Sequence, residues 1–295
     1  MTRSTIKVAL LQDVDHGSTA ANLDAIESGL RRATADGAAL VLLQELHNGP
    51  YFCQHEDPAE FERAEPVPGP TTQRVGVLAE ELGLVVVASV FERRAAGLCH
   101  NTAVVFDRSR EIAGKYRKMH IPDDPAFHEK FYFTPGDLGF HPVATSVGTL
   151  GVLVCWDQWY PEAARLMALA GADLLLYPTA IGWDPADSDD EKARQRDAWI
   201  TVQRGHAIAN GLPVLSCNRT GFEPAPDGGR GIQFWGSSFI AGPQGEILAT
   251  APVDGARQLY AELDLGRNET VRRMWPFLRD RRVDAYGDLV KRFRD

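Results

Sequence analysis

The feature that most constrains this chain is a repeated alternation between short, strongly apolar runs and stretches with helical period. Residues 7–11 read as a strand and 22–35 as a helix, with Leu23, Ile26, Leu30 and Ala33 near one face. Gly37 stands where a helix stop is expected, and residues 39–43, Ala-Leu-Val-Leu-Leu, form a second strand. A proline-rich loop at 50–70 leads to a helix at 71–82, then strands at 84–90, 101–106 and 112–116. Residues 118–142 lack periodicity, and a loop of that length in a compact domain is usually functional or disordered. Order returns with a strand at 150–154, a helix after Pro161, a strand at 174–177 and a long helix at 190–209. Strands at 213–217, 237–241 and 247–249 follow, the last two joined by a Gly242-Pro-Gln-Gly turn. The pattern predicts one mixed α/β domain over 1–295, with an arginine-rich arm from about 265 to 295.

Composition narrows the function by exclusion. The 31 basic and 40 acidic residues give a net charge of -9, which disfavours nucleic acid or an anionic membrane as partner and suits a cationic small molecule. No window holds the roughly 18 apolar residues of a membrane span, and the N-terminus enters a strand without a signal-peptide pattern. Cys53, Cys99, Cys155 and Cys217 are scattered, as expected of reduced thiols in a cytoplasmic protein. The eight histidines show no metal-ligand spacing and no phosphate-binding glycine loop is present, so neither metal nor cofactor is expected.

Three positions offer chemistry. An apolar strand runs into Cys155, followed by a tight turn and a helix near Pro161. A cysteine there can meet free backbone N–H groups that favour thiolate and hold an oxyanion, or can simply be a small buried apolar residue. The 39–43 strand runs into Glu45, which reads either as a solvated loop carboxylate or as a desolvated base. Lys118, in Lys115-Tyr-Arg-Lys118, belongs either to a solvated basic face or to a site where its ammonium stabilises a developing oxyanion.

Glu45, Lys118 and Cys155, in this order and each after a strand, resemble the Glu–Lys–Cys triad of the nitrilase (carbon–nitrogen hydrolase) superfamily. The resemblance spans nearly the whole chain and is nearest to the N-carbamoylputrescine amidase branch. It rests on Lys115-Tyr-Arg-Lys-Met-His-Ile-Pro122, Glu129-Lys-Phe-Tyr-Phe-Thr-Pro-Gly-Asp137, Cys155-Trp-Asp-Gln-Trp-Tyr-Pro-Glu-Ala-Ala-Arg165 and Tyr177-Pro-Thr-Ala-Ile-Gly182. It implies a four-layer α-β-β-α sandwich, usually associated into dimers or larger assemblies, and a second site glutamate at Glu129. That residue also reads as a loop carboxylate paired with Lys130 or Arg117.

The implied activity is hydrolysis of an N-carbamoyl amine, most readily N-carbamoylputrescine, to amine, ammonia and carbon dioxide. Cys155 would be the nucleophile, with Lys118 and the Trp156 backbone N–H holding the oxyanion. Trp156, Trp183 and Trp235, with Asp184, Asp187 or Asp189, are candidate walls for the distal ammonium, and equally candidates for packing or surface charge. The alternatives are an anionic ureido substrate such as N-carbamoyl-β-alanine or an N-carbamoyl amino acid, which calls for an arginine near the pocket, and an inactive scaffold of the same fold.

Overall fold

The computed structural model describes residues 5–294. Its strands are β1 Thr5–Gln12, β2 Leu40–Leu43, β3 Val85–Ala95, β4 Leu98–Asp107, β5 Ile112–Arg117, β6 Val143–Thr145, β7 Gly148–Val152 and β8 Leu174–Thr179. They continue with β9 Gly182–Trp183, β10 Val214–Asn218, β11 Thr220–Glu223, β12 Ile232–Trp235, β13 Phe239–Ala241, β14 Ile247–Thr250 and β15 Arg257–Asp264. The helices are α1 Thr19–Ala35, α2 Pro70–Leu82, α3 Glu129–Tyr132, α4 Pro161–Leu169, α5 Asp189–Asn210 and α6 Gly266–Met274.

Two six-stranded sheets, β15-β1-β2-β3-β4-β5 and β14-β13-β10-β8-β7-β6, lie between two helical layers. Alternation along the strands sorts the layers, because successive side chains point to opposite faces. Val8, Leu10, Leu40, Leu42, Val85, Val87, Ala103 and Val105 face the second sheet. Ala9, Leu11, Val41, Leu43, Val86, Ala88, Val104 and Phe106 face Leu23, Ile26 and Leu30 of α1 and Val75, Leu78 and Ala79 of α2. On the far side, Ala163, Ala164 and Met167 of α4 and Trp199 and Ala207 of α5 cover the second sheet. The result is the four-layer α-β-β-α sandwich, and burial on both faces explains the unbroken apolar runs of β2 and β8.

Several boundaries differ from the sequence expectation. The strand before Cys155 stops at Val152, and Cys155–Trp159 forms a 3-10 turn. A short helix, α3, interrupts the long irregular segment. The eight-residue β15 pairs antiparallel with β1 along its whole length. The tail does not begin as a free arm: α6 buries Asn268 and Val271, and Asn268 donates to the Asp173 carbonyl. Beyond it, Trp275, Phe277, Val283, Leu289, Val290 and Phe293 are exposed. Residues 1–4 and 295, including the last residue of the expected arm, lie outside the description.

Candidate active site

Both sheets deliver polar side chains to one place from the ends of buried strands. Glu45 follows β2, with its backbone N–H donating to the Thr179 carbonyl of β8 across the sandwich. The next N–H, of Leu46, donates to Ser89 Oγ. Lys118 follows β5; its N–H donates to the Asn101 carbonyl and its own carbonyl accepts from Gly136. A Cβ on Gly136 would lie 2.0 Å from the Arg117 carbonyl oxygen, so only glycine permits this close approach.

Glu45, Lys118 and Glu129 form a sealed ion cluster, exposed by 0%, 1% and 1% respectively. Lys118 Nζ donates to Glu45 Oε1 at 2.9 Å and to Glu129 Oε2 at 2.6 Å. Asn101 Nδ2 also donates to Glu45 Oε1, and Tyr51 OH to Glu129 Oε1. Glu45 Oε2 is buried without a partner among the described residues. Buried charge pairs sharing one cation depend on further hydrogen bonds, and Asn101 and Tyr51 supply one to each carboxylate while leaving Glu45 Oε2 open.

The electrostatics follow from this enclosure. Burial alone would pull the Lys118 ammonium down, but the charges of Glu129 and Glu45 outweigh it and hold the group well above the ordinary lysine range. Burial pushes Glu129 up to about 7, against the pull of Lys118 and with the repulsion of Glu45. Burial, then the Glu45 charge, raises Cys155 well above an ordinary thiol, opposed by Lys118. Burial and the Glu45 charge both favour the protonated thiol over the thiolate at rest.

Cys155 has φ +42°, a left-handed conformation that a non-glycine residue adopts only where its surroundings enforce it. Asp157 supplies the enforcement. Its buried carboxylate accepts from the Val154 N–H, Tyr116 OH and the His120 N–H, and contacts His120 Nδ1 at 2.6 Å. Because Tyr116 lies two residues before Lys118, Asp157 ties the cysteine turn to the lysine strand. Gln158 Nε2 fixes the same turn to Thr179 and Ser216. Cys155 is 4% exposed, and its sulfur lies 3.8 Å from the Ala180 carbonyl oxygen.

Cys155 and Glu129 line a cavity of about 940 Å³ with Trp156, Trp159, Asp184, Asp187 and Trp235. Trp183 is not on its surface; it packs behind Trp235 at 5.4 Å between ring centroids, and its indole N–H donates to the Lys192 carbonyl. Asp189, exposed at the start of α5, is also absent from the lining. Glu129 does not pair with Lys130 or Arg117: Arg117 binds Glu92 and Asp137 instead. The lining includes two arginines, each already paired, Arg230 with Asp184 at 2.9 Å and Arg194 with Glu191 at 2.8 Å.

Sequence reasoning passed over Asn101, Tyr51, Asp157 and Trp159. Asn101 carried a signal, a polar residue entering an otherwise apolar strand, and Asp157 stood two residues after the chosen cysteine. Tyr51, in a loop without periodicity, carried none.

A desolvated Glu–Lys–Glu cluster beside a cysteine turn, carried on an α-β-β-α sandwich, is the arrangement of a carbon–nitrogen hydrolase. The carbon–nitrogen hydrolase family profile matches residues 7–273, and the chain belongs to that family. It is 44% identical over 288 residues to an N-carbamoylputrescine amidase of Solanum lycopersicum, covering 97% of this chain and 95% of that one. A citrullinase of Francisella tularensis is 40% identical over 291 residues, covering 98% and 100%. A carbon–nitrogen hydrolase from Helicobacter pylori G27 superposes with a TM-score of 0.96 at 54% identity, covering 99% of this chain and 100% of its own.

Proposed function

We propose that this hydrolase removes the carbamoyl group of N-carbamoylputrescine, with Cys155 as nucleophile, Glu45 as general base and Lys118 as oxyanion partner. The observation that carries the proposal is one arrangement: a buried lysine between two carboxylates, one of which, Glu129, lines with Cys155 a cavity of surplus negative charge. Asp184 and Glu191 are neutralised by arginines. Asp124, Asp187 and Asp227 also line the cavity, and among the described residues none is ion-paired. Such a lining favours a substrate whose far end is an ammonium.

A thiol needs a base at the moment of attack, and Glu45 Oε2 is buried with no partner among the described residues. As sulfur bonds to the ureido carbon, the thiol proton passes to Glu45 and Lys118 faces the developing oxyanion. The Trp156 backbone N–H, next along the turn, is its second donor. Collapse expels the terminal nitrogen as ammonia, which takes the proton from Glu45 and leaves a carbamoyl thioester on Cys155. Glu45 then deprotonates water for attack on the thioester, and the proton returns to sulfur. The carbamic acid released decomposes to putrescine and carbon dioxide. Glu129, held by Lys118 and Tyr51, keeps the lysine ionised and aimed.

The second reading is a ureido amino acid such as citrulline, favoured by the Francisella relative and by two arginines on the cavity wall. Ammonia release measured side by side on N-carbamoylputrescine, citrulline and N-carbamoyl-β-alanine separates these. The proposal expects the highest kcat/KM for the cationic compound, and a preference for either of the others contradicts it. Self-association belongs to the same proposal, through exposed Leu166 and Leu169 of α4 and the apolar residues after α6; light scattering that finds only monomer excludes it. The four buried free cysteines fit a reducing, cytoplasmic location.

A further inference from the structure

We infer that Arg219, paired with Glu223, is a positioning residue that holds the loop of residues 45–51 so that Glu45 and Tyr51 reach Lys118 and Glu129. This rests on the proposed roles of Glu45 and Lys118. Arg219 follows β10 and is fully buried, an uncommon place for a guanidinium that is not part of the cavity lining.

Its donors explain the placement. Nη1 donates to the Gly49 carbonyl at 3.0 Å and to Glu223 Oε1 at 2.6 Å. Nη2 donates to the carbonyls of Leu46 at 2.8 Å, Gly49 at 3.0 Å and Glu45 at 3.4 Å. The other Glu223 oxygen accepts the Tyr51 N–H at 2.7 Å. One ion pair thus grips Glu45, Leu46, Gly49 and Tyr51, and the first and last of these bond the two ends of the Lys118–Glu129 cluster. Leu46, at φ +49°, turns the chain in the left-handed conformation there, and converging carbonyls need a forked donor that an ammonium does not reproduce. His47, between the gripped residues, has neither ring nitrogen partnered among the described residues, while Asn48 is anchored separately to Glu65 and Thr71. The middle of the loop therefore has its own attachment, and the Arg219–Glu223 pair governs the part that carries the two site residues.

The test compares Arg219→Lys and Glu223→Gln with wild type and with Glu45→Gln, reading kcat, KM and the rate of Cys155 alkylation by iodoacetamide in folded protein. The clamp predicts that Arg219→Lys lowers kcat by about tenfold or more with KM changed less than about twofold, because a misplaced base costs turnover and not ground-state binding. Alkylation of Cys155 should slow in step. Should Arg219→Lys fail to fold, Glu223→Gln decides: a fall in kcat of about threefold or more at unchanged KM supports the clamp. If Glu45→Gln is inactive while a folded clamp variant keeps wild-type kcat, the inference is overturned and the proposed function stands. If Glu45→Gln itself keeps full activity, the assignment of Glu45 fails and the clamp's role fails with it.

Discussion

The floor and the rim of the cavity treat charge in opposite ways. At the floor, Lys118 and its two carboxylates are almost completely buried, and each is placed by an element of the sandwich or by a hydrogen bond into it. At the rim, Asp184–Arg230 and Glu191–Arg194 are partly or largely exposed pairs on a loop and the outer face of α5. Buried pairs collapse when one partner is removed, whereas exposed pairs contribute about 0–1 kcal/mol. On the proposed function, the chemistry is therefore built into the fold, and the fit to the far end of the substrate falls to side chains that can be exchanged at little structural cost.

The comparison breaks first at the sulfur. Cys155→Ala should lower turnover by several orders of magnitude, on the order of what loss of a nucleophile costs elsewhere, while stability stays within about 1–2 kcal/mol. Ammonia release and thermal melting measure both. Lys118→Met should abolish activity and also destabilise by about 3–5 kcal/mol, since it leaves Glu45 and Glu129 buried without a cation. Its melting deficit should be larger at pH 8 than at pH 6, where one carboxyl takes up a proton.

Glu129, raised to about 7, sets a smaller effect with a definite sign. The proposed site uses its ionised form, so kcat/KM should fall as pH drops through about 7, and Glu129→Gln should remove that inflection. For stability the sign is reversed. The folded state binds this proton more tightly than the unfolded chain, so the contribution of Glu129 is greatest below the ordinary glutamate value and declines as pH rises towards 7. Melting curves of wild type and Glu129→Gln across pH 5–8 should converge at the acid end.

The rim should respond most weakly and in a different parameter. The Asp187 carboxylate accepts from neutral Gln195 and has no ion pair among the described residues, so Asp187→Asn removes an unneutralised charge. KM for a cationic ureido substrate should rise several-fold with kcat nearly unchanged, and the effect should shrink in high salt. A loss of kcat instead would erase the distinction between floor and rim.

Much of this division was legible in the residues. Apolar periodicity located most strands, and Glu45, Lys118 and Cys155 each stand just beyond one. Their convergence was not, because spacing along a chain does not say which strands become neighbours across two sheets; only the resemblance brought them together. β15 escaped notice because Arg257, Gln258, Tyr260, Glu262 and Asp264 mask the alternation of Leu259, Ala261 and Leu263. α6 escaped because Asn268 and Val271 are its only buried residues. The loop at 45–51 has no period at all, so the reach of Arg219 into it emerges only in three dimensions.

The most direct measurement is mass spectrometry of the enzyme quenched during turnover of N-carbamoylputrescine, with wild type beside Glu45→Gln. The account predicts one added 4-aminobutylcarbamoyl group, substrate less ammonia, on the peptide containing Cys155, and none on those containing Cys53, Cys99 or Cys217. An adduct on another residue, or ammonia production undiminished in Cys155→Ala, would contradict it.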